Sequence, residues 1–577
     1  MKTRQKSRLS IAGLSLCIAC LLAPFNASAQ KVIASVEIRS LDQLFEQVDA
    51  VATYFDAPMN ANMIKQLLGG VLMTPNLGGV DLTSPLRVHL MEFTGDEDMP
   101  PVLMEVPTKG GDTLLEGLST MKKKTALPGG GYSIVPEEGG GSPISMPLFV
   151  KSMGRGLLIA FDKKTLKNAV NLPSAAEEAI QVPGVIAVRL HTENLGPVFK
   201  TMQTKMEESQ QQMIEMFEGD PNNDEMVEQL KESNVATSSA LKGVKNFFAN
   251  LTLFDMGIDM GQERFSIFTM ADGKKDSGFK KMVAGMNPPP EEYMRLAKGD
   301  GILAYAGNFA NLQEMMNGMV EWAAEMPQIK AASGDMMDSL KLLDGQTLGA
   351  FAMDLYAPKE GGKPEGLTVM ELSDPAKYVV DYTAWVKKPK KGMAKIGAKA
   401  EVLGSRDYKD SKIVSFRTTT TPQTMPGAIG EAAPTPPVQM DVHYGAVGKN
   451  LVGVIGGGKN RVNKGFDAVA NAKDATGPML TEHKSFRQCF KGLKRIPAAT
   501  YMMDFGGFMK MGMGTTQPAL AKKLPDLPAP LVGCSFNIDN KYVHMDRMTY
   551  SSAKNMVTFF TKMSELQMEE MMKQMNQ

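Results

Sequence analysis

Apolar and polar positions alternate along two neighbouring stretches near the end of the sequence, 531–538 and 542–549. A period of two is typical of β-strands with one buried face, and Asp539-Asn540 between the stretches favours a tight turn. Helical spacing follows, with an N-cap near Ser551. The apolar side of this predicted helix consists of Met556, Val557, Phe560 and Met563. The pattern therefore predicts a β-hairpin followed by an amphipathic helix.

The same hairpin-and-helix unit recurs along the chain. The predicted hairpins are 86–93 with 101–106, 148–161, 251–270, 348–355 with 367–372, 438–456, and 531–549. Helices after four of them begin with predicted caps at Asp112, Asp162, Asp276 and Asp374. Each half also opens with a strand and a helix, 32–38 with 41–54 and 302–306 with 312–324. Breaker-rich loops occupy matching places at 127–147 and 418–437, and single strands at 184–190 and 498–505 precede the last hairpins.

This order predicts an α+β fold built from repeated hairpin–helix units in two duplicated halves. Each hairpin has one apolar face and each helix one apolar stripe, so we expect antiparallel sheets with helices packed on one face. The predicted organisation is a signal peptide at 1–29, a first α+β half at 30–296 and a second α+β half at 297–577.

The first 29 residues have the pattern of an export signal. A basic head precedes the apolar run 9–22, and Ala27-Ser28-Ala29 forms a cleavage site before Gln30. No later stretch approaches the roughly 20 apolar residues that a membrane-spanning helix needs. The chain is therefore predicted to be exported, periplasmic or extracellular, without a transmembrane span. Lipid anchoring at Cys20 is a minor alternative, because Cys17 stands where the lipidation motif favours leucine.

Charge gives no indication of a nucleic-acid partner. Lys2, Arg4, Lys6 and Arg8 lie in the signal, so 59 of the 63 Lys and Arg residues remain against 63 Asp and Glu, a formal charge of −4. Such a balance produces no basic field for a phosphate backbone.

Only two cysteines, Cys489 and Cys534, follow the signal. A disulfide between them would close a loop of about 46 residues, worth about 4 kcal/mol in the chain-entropy model. Two buried free thiols are the alternative, and spacing alone does not decide between them.

No catalytic motif is present, so the sequence names no catalytic, cofactor-binding or metal-binding residue. The five histidines, His89, His191, His443, His483 and His544, have no metal-ligand spacing, and a triad would have to be assembled by the fold. Gly453 to Lys459 matches a phosphate-loop pattern, but Asn460 replaces the Ser or Thr that would hold magnesium. A glycine turn that leads into a helix explains these residues better.

Methionine is abundant, with 46 residues, and clusters at Met509, Met511 and Met513 and again at Met568, Met571, Met572 and Met575. Thioethers suit Cu(I), whereas helical spacing of methionines also fits a core face or an adaptable binding surface. Two lysine runs, 122–124 and 387–391, are expected at helix C-termini, where cations complement exposed carbonyls. A site for an anionic envelope polymer or lipid headgroups is the alternative.

The signal, the repeated units and the missing catalytic motif together favour an exported cell-envelope protein with a non-enzymatic role in binding or scaffolding. The sequence does not identify its partner, and an envelope component is the candidate. The alternatives are a hydrolase whose site is assembled only in the fold and a periplasmic copper-binding protein that uses methionines. No cofactor is expected.

Overall fold

The structure of the chain is a computed structural model. The structure describes residues 31–58, 60–72, 74–92, 101–110, 114–115, 122–128, 130–136, 147–153, 156–168, 180–217, 224–261, 263–308, 334–335, 338–357, 363–395, 397–421 and 437–575. Helices and antiparallel strands both make up large parts of it, so the predicted α+β class with antiparallel sheet is confirmed. The signal 1–29, the Asp112 cap and the helix 312–324 lie outside the described residues.

The chain divides into two compact units. The first comprises residues 1–206 and 245–272, and the second comprises residues 207–244 and 273–577. The predicted domain boundary between residues 296 and 297 stays a prediction.

Ten described strands form the sheet of the first unit. They are β1 (Val32–Ile38), β2 (Leu86–Met91), β3 (Val102–Pro107), β4 (Lys122–Ala126), β5 (Tyr132–Pro136), β6 (Leu148–Met153), β7 (Gly156–Ala160), β8 (Ile186–Leu190), β9 (Leu251–Asp259) and β10 (Arg264–Gly273). Their order across the sheet is β4-β5-β6-β7-β3-β2-β1-β8-β9-β10. β1 is therefore an interior strand, paired with β2 on one side and β8 on the other.

The α-helices that the structure describes before residue 250 are α1 (Leu41–Phe55), α2 (Ala61–Val71), α3 (Lys163–Asn168), α4 (Leu195–Phe217) and α5 (Asp224–Ala249). Their starts show the capping chemistry that the sequence favours. The Ser40 side chain accepts a hydrogen bond from the Gln43 N–H at the start of α1. The Asp162 carboxylate accepts one from the Thr165 N–H at 2.7 Å, which confirms the predicted cap of α3.

Ten described strands also form the sheet of the second unit. They are β11 (Leu303–Asn308), β12 (Leu348–Tyr356), β13 (Glu365–Leu372), β14 (Ala398–Tyr408), β15 (Ser411–Thr420), β16 (Val438–Val447), β17 (Asn450–Ile455), β18 (Ala499–Asp504), β19 (Pro530–Ile538) and β20 (Lys541–Thr549). Their order is β14-β15-β16-β17-β13-β12-β11-β18-β19-β20. The strand order of the first unit thus recurs with every number raised by ten.

The other α-helices within the described residues are α6 (Gly278–Ala284), α7 (Glu291–Leu296), α8 (Pro375–Lys387), α9 (Lys391–Lys395), α10 (Lys459–Ala470), α11 (Lys484–Cys489), α12 (Phe505–Thr516), α13 (Pro518–Lys523) and α14 (Tyr550–Met575). Asp374 caps α8 with Pro375 at its first turn, as predicted. The predicted cap at Asp276 is wrong, because the Ser277 hydroxyl accepts the hydrogen bond from the Lys280 N–H.

Helices contact both faces of the second sheet, so the prediction of helices on one face is wrong there. Leu451 of β17 packs in a cluster with Val379 and Trp385 of α8. The adjacent Val452 packs in a different cluster with Phe466 of α10. Neighbouring residues of a strand point to opposite faces, so α8 and α10 cover opposite sides. The prediction failed because strands of an interior sheet are apolar on both faces.

The first sheet has two buried faces as well. Leu157 and Ile159 of β7 pack with Leu44 of α1, whereas Leu158 packs with Leu166 of α3. The sheet face that contacts the helix after β7 or β17 is called the α3/α10 face from here on.

The structure adds two hairpins that the pattern did not indicate. β4 pairs with β5 and β14 pairs with β15. Lys122, Lys123 and Lys124 therefore lie in a strand, and their predicted place at a helix C-terminus is wrong. The 127–147 loop holds the short strand β5. β4 and β14 each pair with a single strand among the described residues, and lysines suit such edges because they oppose pairing with other chains.

The last hairpin–helix unit is confirmed, with two corrections. Asp539 and Asn540 both adopt positive φ, 53° and 58°, as a two-residue hairpin turn requires. α14 begins at Tyr550, where the Thr549 hydroxyl accepts from the Ser552 N–H, so the cap is not Ser551. The predicted apolar side of α14 was right for Met563, which packs against a buried cluster, and wrong for Val557. Phe559 and Leu566 are buried and Val557 is 52% exposed.

Candidate functional site

Serine and histidine stand opposite each other on neighbouring strands at three places in the part of the chain that the structure describes. Ser35 Oγ lies 3.0 Å from His89 Nδ1, Ser415 Oγ lies 2.8 Å from His443 Nδ1, and Ser535 Oγ lies 2.8 Å from His544 Nδ1. Each pair occupies directly opposed positions of an antiparallel ladder. Side chains at such positions are within reach of each other, so strand register alone creates the contact.

In the first unit, two histidines share one hydroxyl. Ser35 Oγ lies 3.0 Å from His89 Nδ1 and 3.1 Å from His191 Nε2. Burial lowers the pKa of His89 to about 4, with the neighbouring Arg87 charge acting in the same direction. Burial also lowers the pKa of His191. Both imidazoles are therefore neutral at pH 7.

Charged side chains that form ion pairs with one another surround His89 and His191. Arg87 donates to Glu37 at 2.9 Å and lies 3.5 Å from Glu105. Arg189 binds Asp255 through two hydrogen bonds of 2.7 Å. Asp255 is fully buried and Glu37 is 6% exposed. Buried charges are stable when they are paired in this way. We therefore interpret these ion pairs as a network that stabilises the structure.

The second pair has no carboxylate on the other ring nitrogen. Among the residues that the structure describes, His443 Nε2 has no hydrogen-bond partner. The nearby Asp441 binds Arg417 through bonds of 2.7 and 3.1 Å. The bond to Arg417 lowers the pKa of Asp441. Ser415 and His443 thus form an isolated pair.

The third pair belongs to a longer chain of hydrogen bonds, the β18–β20 cluster, which consists of Tyr501, Ser535, Tyr542, His544 and Asp546. His544 Nε2 lies 2.9 Å from Asp546 Oδ1, and the Tyr501 hydroxyl donates to the same oxygen. Ser535 Oγ lies 3.2 Å from the Tyr542 hydroxyl. The His544 ring is nearly parallel to those of Tyr501 and Tyr542, at 12° and 7°. The fold therefore brings Ser, His and Asp side chains together.

Strand register and one glycine build this cluster. Ser535 opposes His544, and Gly533 stands between Tyr501 and Asp546 in the ladder. A Cβ on Gly533 would overlap the Tyr501 ring and lie 2.7 Å from Asp546 Oδ1. The missing side chain lets Tyr501 reach across β19 to Asp546.

The direction of each proton follows from the donors and acceptors. A carboxylate only accepts, so His544 donates from Nε2 to Asp546 and its Nδ1 lone pair accepts from Ser535. The Tyr542 hydroxyl then donates to Ser535. Burial raises the pKa of Tyr501, with the Asp546 bond adding to the effect, and burial raises that of Tyr542. Both phenols therefore remain donors at neutral pH.

The β18–β20 cluster is only partly covered. The His544 and Asp546 side chains are 17% and 24% exposed, while Ser535 is 6% exposed. His89, by contrast, is fully buried.

A separate buried carboxyl lies at Asp354 in β12, which is 2% exposed. The Tyr356 hydroxyl donates to it at 2.5 Å. Burial raises the pKa of Asp354 to about 6, against the opposing effect of the Tyr356 bond. Such shifts mark candidate functional groups as well as structural ones.

The glycines of the phosphate-loop pattern are explained by backbone geometry. Gly456 and Gly457 have φ values of 64° and 76°, which favour glycine. A Cβ on Gly456 would overlap the Pro364 carbonyl oxygen. Gly458 then caps α10 without a side-chain hydrogen bond. A tight turn into α10 accounts for the run.

The second lysine run behaves as expected. Lys390 donates to the Trp385 carbonyl at the end of α8 and to the Lys388 carbonyl at 3.1 Å. The cation therefore satisfies free carbonyls at a helix C-terminus.

The methionine clusters differ in surroundings. Met509 and Met513 pack against an apolar cluster of Leu520, Leu524, Phe559 and Leu566. Met568 and Met572 are 52% and 53% exposed. Within the described residues, no group of three or more His, Cys, Asp or Glu side chains could hold a metal ion. Packing explains the first cluster, and copper binding stays a prediction.

Cys489 and Cys534 are both buried thiols and are not joined in a disulfide. Burial raises the pKa of the Cys534 thiol, which keeps it protonated. The alternative of two buried thiols is the one that the structure contains.

Among the described helices, none combines the length and the apolar character that crossing a membrane requires. Comparison with known proteins gave no match: no family model matches the chain, and no curated protein or solved structure is significantly similar to it.

Sequence reasoning missed the β18–β20 cluster, although one signal was available. A two-residue turn at Asp539-Asn540 fixes the register of the hairpin, and that register places Ser535 opposite His544. Asp546 follows two residues later on the same side of β20. Tyr501 could not be found in this way, because it comes from β18.

Proposed function

We propose that this chain is an exported cell-envelope protein that binds an apolar or amphipathic envelope component through the exposed side of α14. The observation that carries the proposal is an exposed apolar stripe, defined as Val557, Met568 and Met572. These residues are 52%, 52% and 53% exposed. At 100° per residue they lie on one side of the helix.

The opposite side of α14 is already occupied. Phe559 and Leu566 are buried in a cluster with Leu520 and Leu524 of α13, and Met563 packs against it. The stripe is therefore not needed to hold α14 in place. Methionine suits such a surface, since its flexible thioether adapts to different partners.

Export rests on the signal at 1–29. Its basic head, short apolar run and A-x-A site are the pattern of a cleaved leader. The interior strand β1 begins at Val32, so cleavage before Gln30 would leave the sheet intact.

The shared strand order supports a scaffold that arose by duplication, with halves at 30–296 and 297–577. Ten strands in the same order, with hairpins and crossovers in the same sequence, are the signature of a repeated unit. Different residues at matching positions would let one copy keep structure while the other took on binding.

Native mass spectrometry of residues 30–577, purified from an exporting host, tests the binding role. We expect the wild-type chain to carry a lipid or other amphipathic mass. A variant with Val557→Ser, Met568→Ser and Met572→Ser should lose it, because the apolar contact area is removed. The matched control carries Thr558→Ser, Gln567→Ser and Glu569→Ser, which are exposed polar positions of the same helix.

A bare wild-type mass, or equal retention by both variants, would contradict this proposal. A bound copper ion that the serine variant loses would instead support the metal-handling alternative. The hydrolase alternative now has residues to test, since Ser535, His544 and Asp546 are hydrogen-bonded in series.

A further inference from the structure

We propose that Ser535 is a nucleophile that accepts acyl groups from ester substrates, with His544 as its general base and Asp546 positioning the imidazole. The inference goes beyond the binding role and does not depend on it. Its basis is the continuous chain from Ser535 Oγ through both nitrogens of His544 to Asp546, at 2.8 and 2.9 Å. A base that is itself oriented by a third group is the arrangement that activates a hydroxyl.

The other two serine–histidine pairs show what is specific to this one. His443 Nε2 has no hydrogen-bond partner within the described residues, and the adjacent Asp441 is held by Arg417. His89 Nε2 lies 3.9 Å from the nearest Glu105 oxygen, beyond hydrogen-bond distance, and His89 is fully buried. Only at Ser535, among these three, does a carboxylate bond the second nitrogen of a partly exposed imidazole.

The proton directions already match the first chemical step. His544 Nδ1 accepts the Ser535 proton as Oγ attacks the ester carbonyl carbon, and Asp546 stabilises the imidazolium that forms. The bond from the acyl carbon to the alcohol oxygen then breaks, and the imidazolium returns its proton to the departing alcohol. Water attacks the acyl-serine, again through His544, and releases the acid. The sum is ester plus water to acid plus alcohol.

Two tyrosines complete the arrangement. The Tyr542 hydroxyl, 3.2 Å from Ser535 Oγ, is a donor beside the point where negative charge develops on the carbonyl oxygen. Tyr501 donates to Asp546 and fixes the carboxylate, so it is a positioning residue. Since Ser535 is 6% exposed, a small acyl group is the substrate class that fits.

Covalent labelling of the mature wild-type chain, residues 30–577, is the decisive experiment. The folded protein is treated with a short-chain alkyl fluorophosphonate, and the modified serines are mapped by peptide mass spectrometry. We expect a single adduct on Ser535 and none on Ser415 or Ser35. Absence of an adduct on Ser535, or equal labelling of Ser415, overturns the proposal without any variant having to fold.

Variants then assign the roles. Hydrolysis of p-nitrophenyl acetate should be lost in Ser535→Ala and fall by about 10²–10⁴-fold in His544→Gln, because the general base is removed. Tyr501→Phe should change the pH profile of hydrolysis, whereas a purely structural role would leave the profile unmoved. Ser415→Ala is the matched control and should leave the rate unchanged. Equal rates in Ser535→Ala and wild type would overturn the proposal, whatever the α14 binding experiment shows.

Discussion

The two units have the same strand order, but their α3/α10 faces are filled with opposite chemistry. In the first unit this face contains Glu37, Arg87 and His89 beside the apolar cluster of Met91 and Leu103. In the second unit it is mostly apolar, with Ala304, Ala306, Ala350 and Ala352 packed against the residues of α7 and α10, and Asp354 opposite Ala304 is its buried carboxyl. Strand order is therefore set by hairpins and alternation, and either a satisfied ionic network or an apolar core can fill the interior.

The largest effect should come from placing a charge of the first unit into the second. Ala306 is fully buried between Ala352 and Thr500. We expect Ala306→Glu to unfold the second unit, at a cost above about 4 kcal/mol, because the new carboxylate would be buried in the apolar cluster that contains Ala304 and Ala352. Urea unfolding followed by hydrogen exchange in β11 and β18 measures it. Thr420→Glu, at an exposed strand end, is the control. If both variants changed the free energy of unfolding by the same small amount, the contrast between the two units would be refuted.

Removing one partner of a buried ion pair should come next. Asp255→Ala takes the bidentate carboxylate from Arg189, and we expect the first unit to lose about 3–5 kcal/mol. The same change at Asp441, whose pair with Arg417 is 24% and 31% exposed, should cost at most about 1 kcal/mol. Hydrogen exchange in β8 and β9 measures the stability lost in the first unit, and exchange in β15 and β16 measures the stability lost in the second. Equal losses would show that burial does not distinguish the two pairs.

Acid should weaken the first unit through His89. Its folded pKa is about 4, whereas the unfolded value is 6.5, so the unfolded chain binds the proton first as the pH falls. Stability is therefore complete above pH 6.5 and falls by about 3 kcal/mol between pH 6.5 and 4. We expect His89→Gln, which keeps a hydrogen-bonding side chain, to remove this part of the pH dependence. Thermal unfolding across that range, relative to wild type, is the measurement; an unchanged slope would refute the assignment.

The pH dependence of the second unit should have the opposite sign at Asp354. Its pKa is about 6 in the folded state and 3.8 in the unfolded state, so the folded state keeps the proton up to a higher pH. This contribution is present below pH 3.8 and is lost as the pH rises to 6, about 3 kcal/mol in all before any relaxation of the site. Asp354→Asn should therefore stabilise the unit at pH 7 by up to that amount. The prediction would be contradicted if Asp354→Asn did not raise the melting temperature at pH 7, or if it raised the melting temperature by the same amount at pH 4.

The sequence predicted those elements correctly whose pattern is contained in a short, continuous stretch of residues. The hairpin β19–β20 was predicted correctly, because alternation and Asp539-Asn540 are local features. β14 was missed because charged residues such as Lys399, Glu401 and Arg406 hide its alternation on an edge strand. The buried side of α14 was misjudged by one or two positions, which the helical repeat alone does not resolve.

The candidate site was less accessible to prediction than the fold. Ser535 and His544 could be paired through the hairpin register, but Tyr501 joins them from β18, and the gap at Gly533 has meaning only once three strands are aligned. The ionic network of the first unit could not be predicted from the sequence for the same reason. Glu37 and Arg87 are 50 residues apart, and nothing local links them.

The pairings of β1 with β8 and of β11 with β18 also have a consequence for the time course of folding. β19 and β20 are joined by two residues, and hairpins of this kind close within about 1–10 μs. β11 and β18 pair Leu303 with Met503, about 200 residues apart, and β1 and β8 pair Ala34 with Leu190. Loop closure over such distances is slow. We therefore expect the hairpins to form early and the β1–β8 and β11–β18 pairings to form last, so the docking of β1 on β8 and of β11 on β18 sets the folding rate.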